Sequence, residues 1–153
     1  MVDLGQKFAG WISGRTTNMK GVPQSTRRVK LQKGNAWRDP SRALVVELIG
    51  DVGAGKTTFT RGLAEGLGIT EPVTSPSFTI SKSYPLQNGG NLIHYDFYRL
   101  SNPGLMAADL QENLTNPDNI IIVEWGESIS SLLPENHIKI QIEYNDDGRR
   151  VNL

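Results

Sequence analysis

Apolar positions change rhythm several times along this chain, and each rhythm predicts an element. Leu4, Phe8, Trp11 and Ile12 share one side of a predicted helix from Asp3 to Ile12, which Ser13-Gly14 ends. Ala43-Leu44-Val45-Val46-Glu47-Leu48-Ile49 reads as a short, nearly continuous apolar strand. From Thr57 to Leu67 the rhythm becomes helical: Phe59, Leu63 and Leu67, with Gly62 and Gly66 between them, form one core face. Gly68 is a natural stop.

Two strands follow, Phe78 to Leu86 and Leu92 to Tyr98, and Gln87-Asn88-Gly89-Gly90-Asn91 between them predicts a β-hairpin. In the second strand Ile93, Tyr95 and Phe97 share one face, and His94, Asp96 and Tyr98 the other. Asn102-Pro103 opens a helix over Leu105 to Leu114, with Leu110 and Leu114 inward. Ile120-Ile121-Ile122-Val123 then Glu124 reads as a buried parallel strand closing on an acid. Glu127 to Leu133 is a short helix closed by Pro134. Ile138, Ile140, Ile142 and Tyr144 alternate with polar residues as a half-buried strand, and Asn145-Asp146-Asp147-Gly148 turns it back toward Val151 and Leu153.

The join between the first strand and the second helix carries the chemistry. Gly50-Asp51-Val52-Gly53-Ala54-Gly55-Lys56-Thr57 fits G-x-x-x-x-G-K-[ST], a phosphate-binding loop between strand and helix. Its successive backbone N–H groups, and those of the helix start at Thr57-Thr58, suit an anion. Lys56 is suited to the β- and γ-phosphates of ATP, and the Thr57 hydroxyl to Mg²⁺. The fold class that follows is an α/β P-loop three-layer sandwich, a mainly parallel sheet with an inserted antiparallel β-hairpin.

Other residues sort around that loop. Thr74 and Ser77, in Val73-Thr74-Ser75-Pro76-Ser77-Phe78, are candidates for a hydroxyl that senses the γ-phosphate; an ordinary Ser/Thr turn is equally compatible. Asp96 is either a strand-end carboxylate facing solvent or a group near the metal. Glu124 stands where a Walker B acid holds Mg²⁺ through water or polarises the attacking water. His94 shares the face of Asp96, and a hydrogen-bonded structural role suits it better than a chemical one. His137 reads as surface.

Composition narrows the class. The 153 residues carry 16 basic and 16 acidic side chains and no cysteine, which excludes disulfides and thiolate metal sites. No apolar run approaches the ~20 residues that span a bilayer, and no signal pattern opens the chain, so a cytoplasmic protein away from membranes is expected. The charge is uneven: residues 14–42 hold eight basic residues and Asp39 as the one acid. That segment, with a possible hairpin around Val29 to Ala36 and Trp37 as its aromatic, reads as a nucleic-acid-facing stretch or a solvated insert. The chain therefore divides into 1–42, a helix fragment and basic loop, and 43–153, the P-loop domain.

Together the P-loop through Phe59, Val73-Thr74-Ser75-Pro76-Ser77-Phe78-Thr79, His94-Tyr95-Asp96-Phe97-Tyr98-Arg99 and Val123-Glu124-Trp125 resemble the TsaE (YjeE) family. The match runs in order from about residue 43 to 150. The resemblance implies a Mg-dependent ATPase that works with TsaB and TsaD in forming threonylcarbamoyladenosine at position 37 of tRNA, without itself making the modified base. It implies catalytic roles for Lys56, Glu124 and Asp96, and metal roles for Thr57, Glu124 and Asp96. It further implies nucleotide contacts from Asp51, Val52, Gly53, Ala54, Gly55, Lys56, Thr57, Thr58, Thr74 and Ser77, with Trp125 beside the site and Arg149 bordering the adenine. Against the family pattern, the opening strand is absent, 14–42 reads as an insertion, and Ser77 replaces a common Thr. A regulatory GTPase would need a guanine-reading Asn/Thr-Lys-x-Asp segment, which is missing. A small-molecule or nucleotide kinase would need an arginine-rich lid, and none is evident. A module that only holds nucleotide would have no use for Glu124.

Overall fold

The computed structural model describes residues 1–13, 39–87, 89–100, 102–145 and 148–152, with backbone alone beyond residue 143. The possible hairpin at 29–36, Trp37 and most of the basic segment lie outside the described residues, as does the Arg149 side chain.

Among the described residues six strands form one sheet in the order β2-β3-β4-β1-β5-β6. They are β1 (Leu44–Ile49), β2 (Ser81–Pro85), β3 (Asn91–Asp96), β4 (Ile120–Glu124), β5 (Ile138–Asn145) and β6 (Gly148–Asn152). The centre is parallel: β3 with β4, β4 with β1, β1 with β5. Antiparallel pairs close both edges, the expected hairpin β2–β3 on one side and β5–β6 on the other.

Helices α1 (Val2–Ile12) and α2 (Lys56–Gly66) cover one face, and α3 (Gly104–Leu114) with a 3-10 segment (Gly126–Leu132) covers the other. Strand alternation divides the core accordingly. Leu44, Val46, Leu48 and Ile122 pack with Phe8, Phe59 and Leu63. Val45, Ile121, Val123 and Tyr95 pack with Leu110 and Ile129. A strand buried on both faces needs apolar residues at every position, which is why β1 and β4 read as continuous runs.

The α1–α2 contact depends on glycine. A Cβ on Gly62 would lie 2.0 Å from the carbonyl oxygen of Val2, and one on Gly66 2.6 Å from the Ala9 Cβ. The helices therefore approach to backbone contact, which fixes α2 and the loop that precedes it.

Several boundaries differ from the sequence expectations. β2 starts at Ser81, three residues after Phe78. The chain first turns at 77–79, where Ile80 N–H donates to the Pro76 carbonyl and Ile80 adopts φ 66°. Phe78 is left fully exposed. The expected helix after Glu124 is a 3-10 segment. Pro103 is the N-cap of α3, one position ahead of the first helical residue, and Asn102 Oδ1 accepts from Gly104 N–H at 3.1 Å. His137 is half-buried rather than surface: its Nε2 lies 2.9 Å from Glu47 Oε2 and its side chain is 8% exposed.

Candidate functional site

The candidate site lies beyond the C-terminal ends of the parallel strands. β1 delivers Gly50, and α2 takes over at Lys56 after Gly55, whose φ of 107° suits glycine. Ala54 N–H donates to the Asp51 carbonyl, closing the loop on itself. The unpaired N–H groups of the first α2 turn lie at the mouth, where an anion is favoured.

Lys56 is 5% exposed and folds back over the loop. Its Nζ donates to the Gly50 carbonyl at 2.6 Å and the Asp51 carbonyl at 2.9 Å. The same ammonium lies 4.3 Å from the Trp125 ring centroid. Burial lowers its pKa, and the charges of Glu124, Asp96, Asp51 and Glu127 oppose that shift. Trp125 reaches this position from a left-handed backbone, φ 59°, with its ring 5.0 Å from that of Tyr98.

Register brings the two expected acids together. Asp96 pairs with Glu124 across β3 and β4, and Glu124 with Leu48 of β1. Both acids are 3% exposed, so Asp96 is not a solvent-facing strand end. Glu124 Oε1 accepts from Thr57 Oγ1 at 3.3 Å and from His94 Nε2 at 2.8 Å. Asp96 Oδ2 accepts from Ser75 Oγ at 2.9 Å and Ser77 Oγ at 2.6 Å, while Oδ1 takes Tyr98 N–H at 3.0 Å.

A cavity of about 270 Å³ joins these groups. Val52, Gly53, Gly55, Lys56, Thr57 and Thr58 line one side; Ser75, Ser77, Asp96, Glu124 and Trp125 line the other. Thr74 is exposed and outside this lining, whereas Ser75, passed over in the sequence, is inside it. Only the hydrogen-bond geometry separates these two adjacent hydroxyls; the local sequence does not. Asp51 and Ala54 line a larger neighbouring cavity of about 460 Å³. Its carboxylates, Glu47, Asp51, Glu127 and Glu143, make it the wrong place for phosphate. Arg149 is placed by backbone register alone, opposite Tyr144.

The arrangement can hold a polyanion over the loop amides with a buried lysine, and a hydrated cation between a hydroxyl and two carboxylates. The family model for threonylcarbamoyl adenosine biosynthesis protein TsaE matches residues 14–151. The chain belongs to the TsaE family. The matched range takes in the basic segment as well as the P-loop domain. Among relatives of this TsaE-family chain, the TsaE of Bacillus subtilis is 39% identical over 146 residues, 93% of this chain and 84% of that one. That of Haemophilus influenzae is 39% identical over 112 residues, 73% of this chain and 70% of that one. That of Streptomyces coelicolor is 45% identical over 100 residues, 65% and 68% of the two chains. The crystal structure of Bacillus subtilis YdiB superposes with a TM-score of 0.56 at 41% identity, covering 72% of this chain and 66% of that one. The role of the TsaE family in threonylcarbamoyladenosine biosynthesis is thereby the context of the site. Among the described residues no helix is long and apolar enough to cross a membrane.

Proposed function

We propose that this chain binds MgATP at the P-loop and hydrolyses it in support of tRNA threonylcarbamoyladenosine formation, in concert with TsaD and TsaB. The observation that carries the reading is the meeting of Thr57 Oγ1 and Glu124 Oε1, 3.3 Å apart, in the cavity that also holds Lys56.

The donor set fits the group. Among the described residues no cluster of three or more His, Cys, Asp or Glu could hold a metal by itself. Mg²⁺ is commonly bound by one or two carboxylates, water and substrate phosphates, with no all-protein cage. Thr57, Asp96 and Glu124 would hold it, and when bound it supplies neutralisation of the phosphate charge.

The chain's own groups supply the rest. The loop amides and the α2 N-terminus orient the phosphates. Lys56 leaves the Gly50 and Asp51 carbonyls to offset negative charge that spreads in the transition state. Glu124 orients the attacking water by accepting its proton in a hydrogen bond. Among the described residues no arginine lines the cavity, so turnover by the isolated chain is slow.

The test is ATP hydrolysis by the purified chain, alone and with TsaB and TsaD. Weak release of phosphate that rises with the pair supports the reading. Turnover that ignores the pair and appears only with a small phosphoryl acceptor indicates a kinase instead.

A further inference from the structure

His94 is fully buried on β3, yet it is polar and makes one hydrogen bond, Nε2 to Glu124 Oε1 at 2.8 Å. Its Nδ1 is enclosed and has no partner among the described residues. A buried imidazole with one idle nitrogen is costly, so a purely structural site would be better filled by an apolar side chain.

The geometry around Glu124 gives the histidine a use. A carboxylate can only accept, so the shared proton sits on Nε2. At 2.8 Å this bond has normal length, whereas the Thr57 hydroxyl, at 3.3 Å from the same Oε1, is beyond the usual O–H···O range. His94 therefore sets the carboxylate's rotation. With Oε1 taken, Oε2 has no hydrogen-bond partner among the described residues, and Glu124 lines the cavity.

We propose that His94 is the positioning residue of Glu124, clamping Oε1 so that Oε2 is presented to the nucleotide cavity. The inference rests on the MgATP reading above. His94 touches neither the phosphates nor the metal in this account; it acts only through Glu124. Groups that orient a metal-site or catalytic carboxylate are typically worth about 10–100-fold in activity or metal affinity.

The test compares His94→Leu, which fills the space without a donor, with His94→Gln, whose amide donates from a similar reach. ATP turnover and the affinity for ADP with and without Mg²⁺ are measured for each. His94→Leu is expected to lower kcat by about 10–100-fold and to weaken the Mg²⁺-dependent part of ADP affinity. KM and Mg²⁺-free ADP affinity stay within about threefold, because the P-loop is intact. His94→Gln is expected to recover most of kcat. Equal kcat in His94→Leu and the unchanged chain overturns the inference, as does equal impairment of both variants with unchanged melting. A measurement on the unchanged protein guards against misfolding of either variant. The ¹⁵N spectrum of the His94 ring is expected to show the proton on Nε2; a proton on Nδ1 alone overturns the clamp. If the unchanged chain turns over MgATP while His94→Leu is unaffected, only the positioning role falls. If the unchanged chain neither binds nor turns over MgATP, the reading falls and the inference with it.

Discussion

Lys56 and Trp125 are in face contact, with Nζ 4.3 Å from the ring centroid, while the same ammonium donates to two loop carbonyls. The lysine thus has its partners in its own loop and in the Trp125 face, and a phosphate has to outcompete them.

That storage has a stability cost. Burial lowers the Lys56 pKa below 10.5, so the charged form opposes folding. The penalty is full below the folded value and disappears as pH rises through 10.5, the ordinary lysine value. Lys56→Met, similar in length and uncharged, is expected to raise the melting temperature at pH 7 by about 2–4 °C. The gain should shrink as pH rises toward 10.5 and be absent above it. Differential scanning calorimetry checks this, and a lower melting temperature at pH 7 would contradict it.

Tyr95 lies in the core under α3, and its hydroxyl donates to Asp109 Oδ2 and accepts from Asn113 Nδ2 at 3.0 Å. Burial first, and the bond to Asp109 second, push its pKa well above 10.0. The folded state then keeps a proton that the unfolded chain loses above pH 10.0, so stability falls as pH rises past that point. The slope from this one group is about 1.4 kcal/mol per pH unit. Urea melts between pH 9 and 11.5 on the unchanged chain and on Tyr95→Phe check it. Tyr95→Phe should lose this part of the slope and cost about 1–3 kcal/mol at neutral pH, because Asp109 and Asn113 lose a buried partner.

Gly62 is where α1 and α2 touch. A methyl there meets the Val2 backbone, with the carbonyl oxygen at 2.0 Å. Gly62→Ala is expected to cost about 1–3 kcal/mol by forcing α1 outward, despite the better helix propensity of alanine. Faster proteolysis within residues 1–13 should accompany a lower urea midpoint. Unchanged values of both would mean that the helices do not pack this closely.

Much of the candidate site is legible in the sequence because its signals are local. The P-loop needs eight consecutive residues, and Gly55 with its φ of 107° occupies the position at which the spacing requires glycine. Glu124 was legible because β4 is buried on both faces and ends on an acid, and register then set it beside β1. Contacts between distant segments were not legible. Glu47 interrupts an apolar strand without apparent reason until His137, ninety residues later, meets it at 2.9 Å. Ser75 and Thr74 are chemically alike neighbours, and only the turn at 77–79 decides which hydroxyl reaches Asp96. β2 starts later than its sequence suggests because Phe78 and Ile80 look like strand residues, while the Ile80 bond to the Pro76 carbonyl holds them in a turn.

The P-loop cavity is expected to bind the phosphates of a magnesium nucleotide through Lys56. Calorimetric titration of MgADP into the unchanged chain and into Lys56→Ala tests it most directly. Saturable one-to-one binding to the unchanged chain, weakened at least about tenfold in a folded Lys56→Ala, is the expected result. Equal affinity in the two chains, or no binding to the unchanged one, would contradict it.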